Sequence, residues 1–182
     1  MPFPVMVTIS RDDIVAAEGF VATLRSFKRC HGIKSGARVE GAESVEWDIG
    51  GRLAEIAVGK FLGLETNDAI QAKGDGGWDF NLGTMSKPIL LDVKSVSVQK
   101  QITREYYLTA GEHGFDCHLA CLALVSPQRD YVAIAGFTTR ALFAARAERV
   151  VNWKARKNDE PLALHQSSLM PAWGMLKYRG ML

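Results

Sequence analysis

The chain has 182 residues, 47% of them hydrophobic, which is enough for one compact domain with a substantial core. Its formal net charge is +2, so bulk charge neither demands nor excludes a polyanionic partner, and any binding surface must be local. Cys30, Cys117 and Cys121 are too few and too irregularly spaced for a disulfide framework, which points to a reducing, cytoplasmic compartment; no apolar run nears the roughly 20 residues of a membrane span, and MPFPVMVTIS lacks the pattern of a signal peptide.

In chain order, VMVTIS alternates as a short first strand. Ser10 then reads as an N-cap, with Asp12 and Asp13 in the first turn of a helix through DDIVAAEGFVATLRSFKRC. A second helix is predicted over WDIGGRLAEIAVGKFLGL, with Leu53, Ile56, Ala57 and Phe61 as its apolar stripe and Gly63 as its stop. Two apolar runs, WDFNL and PILLDVKSV, flank the turn-like GTMSKP and predict a hairpin. QKQITREYYLTAGEHG fits helix or loop. HLACLALV and YVAIAGF read as strands joined by the turn SPQRD, and TTRALFAARAERV as a helix capped by Thr138 or Thr139. The remaining tail is polar first, then mixed. The order predicts an α/β fold, a central mixed β-sheet flanked by helices, in a single domain spanning residues 1–182. Its core would occupy about residues 45–145, with the N-terminal helix and a C-terminal extension packed on it.

The hairpin carries an unusual feature. If Gly83 to Pro88 form the loop, antiparallel partners have residue numbers totalling 171, and Asp79 lies opposite Asp92. Lys94 shares a strand face with Asp92, beside Leu90, Val96 and Val98, while Ile89, Leu91 and Val93 take the other face. A strand apolar on both sides is covered on both sides, so these charges sit where water is scarce. Burying them costs several kcal/mol unless something compensates. A hard divalent cation would do so: Mg²⁺ takes one or two carboxylates plus water and phosphate, and the Val93 carbonyl could add a ligand. Lys94 would stand beside it as a fixed charge that holds a water or offsets a phosphate. The plainer alternative is a solvated aspartate in each strand, with Asp92 and Lys94 as a surface ion pair.

An aspartate, a short hairpin and then Asp-x-Lys at the end of an apolar run resembles the PD-(D/E)xK nuclease superfamily, here as Asp79 and the DVK of Asp92 to Lys94. The family's preceding helix often donates a glutamate, commonly in a pattern like G-x-x-x-E-x-x-A. GRLAEIAVGKFLGL places Glu55 there, with Gly51 and Gly59 one turn either side, leaving nothing bulky on that helix face. The resemblance covers roughly Trp47 to Phe137, and Trp78 stands where the family's name has proline. It implies a restriction-endonuclease-like core and a Mg²⁺-dependent phosphodiesterase acting on DNA, with Mn²⁺ as substitute. Asp79 and Asp92 would be metal ligands with the Val93 carbonyl assisting, Glu55 would bind metal directly or through water, and Lys94 would orient the nucleophilic water. An endonuclease is the first expectation, in a phage, a mobile element or a bacterial DNA-processing system. A junction resolvase, an exonuclease of the same core, or a non-catalytic DNA- or protein-binding module are alternatives. A homodimer whose two sites face a shared basic channel would favour the resolvase.

Other patterns carry less. A calcium loop from Asp75 would end at Ser86 instead of glutamate. His113, Cys117, His118 and Cys121 suggest zinc, but a strand starting at His118 turns Cys117 and His118 to opposite faces. There is no phosphate-binding glycine loop and no nucleophile elbow around Ser167 or Ser168. Arg25, Lys28, Arg29, Lys34 and Arg38 form one basic region, and Lys154, Arg156 and Lys157 beside Trp153 another. Each is a candidate for salt-sensitive phosphate contacts or a solvated face. Gln99 is a candidate substrate contact near the hairpin, or a solvated strand-end glutamine. Tyr106 and Tyr107 suit either core packing or base stacking.

Overall fold

The computed structural model describes residues 4–33, 42–68, 77–99, 106–111, 113–149 and 161–180. After β1 (Val5–Thr8), Ser10 starts helix α1 (Arg11–Cys30). Its hydroxyl accepts the Asp13 N–H, and the Asp13 carboxylate accepts the Ser10 N–H at 2.6 Å, a reciprocal cap that satisfies two otherwise orphaned donors. Helix α2 (Ala42–Leu62) begins earlier than its apolar pattern suggests and stops at Gly63, whose φ of 63° favours glycine. Its buried face is also wider than predicted, with Leu53, Ala54, Ala57, Val58 and Leu62 fully covered and Ile56 and Phe61 only partly so.

The hairpin strands are β2 (Phe80–Asn81) and β3 (Leu90–Ser97), followed by β4 (Tyr107–Ala110), β5 (Leu119–Val125) and β6 (Tyr131–Thr139). Thr139 caps α3 (Arg140–Arg146) through the Leu142 N–H at 3.1 Å. Then come β7 (Glu148–Arg149), β8 (Leu162–His165), two short 3₁₀ turns and α4 (Met175–Tyr178). The main sheet has the order β1-β6-β5-β3-β2; β3 and β5 run parallel and the other pairs antiparallel. The α/β class and the mixed sheet are therefore as predicted.

The flanking layers differ from the prediction. Along β5, Leu119, Cys121, Ala123 and Val125 face α1, α2 and the C-terminal turns, where Ala172 and Met175 pack. On the opposite face, Ala120, Leu122 and Leu124 meet Leu108 of β4, Leu164 of β8 and Phe143 of α3. That side is covered largely by a second, three-stranded sheet, β4-β8-β7, in place of helices alone. Its strands come from segments with weak local signals. YLTA lies in a stretch compatible with helix or loop, Glu148–Arg149 lies where the sequence predicts a continuing helix, and Leu162–His165 belongs to the mixed tail. Among the described residues no helix is long and apolar enough to cross a membrane.

Candidate functional site

The hairpin register agrees with the sequence up to the aspartates. Phe80 pairs with Leu91 and Asn81 with Leu90, so partner numbers total 171. The Leu82 N–H donates to the Ile89 carbonyl at 2.8 Å in the same register. At Asp79 the register slips: its N–H donates to the Leu91 carbonyl at 2.8 Å, so Asp79 and Phe80 both meet Leu91. Two residues against one make a bulge, which re-aims the side chain beside it. The Asp79 carboxylate, instead of standing directly across from Asp92, accepts the Val93 N–H through Oδ2 at 2.6 Å. A side chain thus continues the ladder where β2 has ended, and both aspartates remain at neighbouring places along β3.

Asp92 is buried, its side chain 12% exposed, and its Oδ2 lies 2.6 Å from Lys94 Nζ. Lys94 is 42% exposed, so the pair has a dry end and a wet end. This is a partly desolvated, charge-assisted contact, not a pair of surface ions. β3 alternates as expected: Leu91 and Val93 pack with α2, while Leu90 and Val96 pack toward the small sheet. Asp92 and Lys94 share the second side. Two thiols report the local field. Burial pushes Cys117 up to about 11, and the Asp92 charge pushes in the same direction. Burial also raises Cys121, with the charges of Asp79 and Asp92 adding to it, so both carboxylates act on one buried sulfur.

Glu55 sits on α2, between two glycines that serve a packing purpose. A Cβ on Gly59 would lie 2.8 Å from the Leu64 carbonyl oxygen and 3.4 Å from the Phe80 ring, and one on Gly51 would touch Ser95 Oγ at 3.8 Å. The space around the Glu55 face is therefore filled by the sheet, and α2 runs along β3 with Glu55 between the levels of Ser95 and Phe80. Glu55 Oε2 accepts from Arg52 Nη1 at 2.8 Å. Arg52 is itself buried, stacks over the Phe20 ring at 4.1 Å, and donates to Thr66 Oγ1, the Asn67 carbonyl and the Asp68 carboxylate. It is the polar hub that joins α1, α2 and the segment leaving α2, and it lies outside the motif residues that the sequence patterns single out. A signal for it exists: an arginine inside an apolar helix stripe, three residues before a glutamate, is in register for an ion pair.

Asp79, Asp92, Val93 and Lys94 thus come together at one end of the hairpin, whereas Asp92 and Lys94 leave β3 on the side away from the helix that carries Glu55. Among the described residues no group of three or more His, Cys, Asp or Glu side chains is placed to hold a metal ion. A Mg²⁺ or Mn²⁺ site commonly takes only one or two protein carboxylates, with water and phosphate supplying the other oxygens. Asp79 and Asp92 are the carboxylates carried at this end of the hairpin. The zinc alternative does not assemble: Cys117 and Cys121 lie in clusters on opposite faces of the sheet. Cys117 Sγ donates to the Leu119 carbonyl, and His118 Nδ1 accepts the Leu90 N–H.

The basic candidates are dispersed in role. Arg25 clamps α1 to α2, with Nε 2.8 Å from Asp48 Oδ2 and Nη2 2.8 Å from Ser44 Oγ. Lys28 is half-buried and Arg29 exposed in the last turn of α1, and Gln99 is exposed just past β3. Tyr107 is 42% exposed and meets the His165 ring edge-on across β4 and β8. Lys34, Arg38, Asp75, Trp153, Lys154, Arg156 and Lys157 lie outside the described residues. No protein-family model matches the chain, and no curated protein matches it in sequence.

Proposed function

We propose that the chain is a metal-dependent phosphodiesterase acting on DNA, built on a restriction-endonuclease-like core and cutting as an endonuclease. The observation that carries this reading is the juxtaposition of a buried Asp92–Lys94 pair with Asp79 anchored on the adjoining Val93 N–H. Asp79 and Asp92 would hold Mg²⁺, which when bound lowers the pKa of a water and neutralises charge on the scissile phosphate. Lys94, with its ammonium at the solvent end of the pair, orients an incoming water and offsets negative charge on the phosphate. Val93 fixes the Asp79 carboxylate through its N–H.

A second reading is a non-catalytic DNA- or protein-binding module. It is favoured by the Arg52–Glu55 ion pair, which gives the third carboxylate a structural partner. The two readings separate on incubation with supercoiled, linear, single-stranded and branched DNA, with Mg²⁺ and with chelator. Cleavage of at least one substrate is expected, lost on chelation and in Asp92→Ala and Lys94→Ala. Cutting retained by both variants removes this site from consideration, and no cutting together with no Mg²⁺ or Mn²⁺ uptake by calorimetry favours the binding module.

A further inference from the structure

The tip of the β2–β3 hairpin is an exposed apolar point on a well-tied turn. Met85 is 95% exposed, far more than any other large hydrophobic side chain among the described residues. Its loop has little freedom to fold it back. Thr84 and Lys87 exchange N–H to carbonyl hydrogen bonds at 3.2 Å each, and Thr84 Oγ1 lies 3.1 Å from Ser86 Oγ. Below the tip, Asn81 Oδ1 accepts the N–H groups of both Gly83 and Ile89 at 3.0 Å. Gly83 has no room for a side chain, because a Cβ would collide with the Lys87 carbonyl and the Ile89 nitrogen. The turn thus projects a flexible, unbranched apolar side chain and an exposed Lys87, and the residues from Gly83 to Pro88 include no acid.

From this geometry we infer that Met85 is a wedge that enters between base pairs of duplex DNA while Lys87 meets the adjacent phosphate. The inference rests on the DNA-acting reading above and adds how the duplex is engaged. Methionine is one of the side chains able to unstack a base step and kink the helix, and a neighbouring cation supplies the sequence-independent phosphate contact. The exposed Lys87 and the absence of acids in the turn give this tip a positive charge that complements a phosphate backbone.

The test uses the full chain with chelator present and a duplex carrying 2-aminopurine at successive positions. Binding is followed by anisotropy and unstacking by 2-aminopurine fluorescence. A several-fold fluorescence rise confined to one step is expected on binding, kept by Met85→Leu and reduced to the free-duplex level by Met85→Ala while binding persists. Binding without such a rise, or the same rise in Met85→Ala, overturns the wedge, as does failure to bind duplex at all. The nuclease reading fails separately: unstacking that depends on Met85, with no cleavage of any substrate in Mg²⁺, leaves the wedge standing and removes the catalysis.

Discussion

The Asp79 carboxylate and the Val93 N–H, 2.6 Å apart, form a rung of the sheet in which one partner is a side chain. The bulge at Asp79 and Phe80 makes this possible, because it brings the carboxylate back toward the ladder just where β2 stops supplying backbone acceptors.

Removing that rung should be costly. Asp79→Ala leaves the Val93 N–H without its acceptor and costs about 1–3 kcal/mol. Asp79→Asn keeps an acceptor oxygen and costs less than half as much. Urea denaturation of the two variants checks this, and equal losses would show that the rung contributes nothing. If the aspartate also holds a metal, both variants lose cleavage in Mg²⁺, so activity and stability part company in Asp79→Asn.

The Asp92–Lys94 pair gives a coupling prediction. Lys94→Met removes the cation from a carboxylate that is 12% exposed, but the lysine end is 42% exposed and water can partly take its place. A loss of about 1–3 kcal/mol is expected, below the full cost for a deeply buried pair. In a double-mutant cycle with Asp92→Asn, a favourable coupling of about 1 kcal/mol or more should appear. A coupling indistinguishable from zero would mean that the two charges are solvated independently.

Thiol chemistry tests the burial of the sheet. Cys117 is pushed up to about 11 by burial and then by Asp92, Cys121 is raised by burial, and Cys30 is exposed. A thiol is nucleophilic as the thiolate, so at pH 8 iodoacetamide should label Cys30 alone in the native protein and all three cysteines in urea. Native labelling of Cys117 would contradict its placement. Folding also holds the Cys117 proton more tightly than the unfolded chain does, so its contribution to stability is fully present below about 9 and declines as pH rises toward 11. Cys117→Ala should flatten that part of the alkaline stability profile.

Two helix glycines should respond in opposite directions. A methyl added at Gly19 on α1 would have nothing within 4 Å of it, so Gly19→Ala should stabilise by about 0.5–1 kcal/mol through backbone entropy. On α2, Gly59→Ala drives a methyl against the Leu64 carbonyl and the Phe80 ring, and should cost about 1–3 kcal/mol. Thermal melts of the two variants measure both. A neutral Gly59→Ala would mean that α2 can lift off the hairpin without penalty.

By itself the sequence determined every feature that depends on short-range periodicity. The Ser10 cap, the course of α1, the 171 register of the hairpin and the assignment of Asp92 and Lys94 to one side of β3 are all consequences of how neighbouring residues alternate. Tertiary structure decided the rest. The bulge that redirects Asp79, the glycine-lined contact of α2 with β3, the stacking of Arg52 on Phe20 of α1 and the second sheet on the Asp92 side of β3 each require segments distant in sequence to meet. Local spacing states which way a side chain leaves its own strand or helix. What it meets there is set by the packing of other elements, as when Phe20 of α1 covers the arginine that pairs with Glu55.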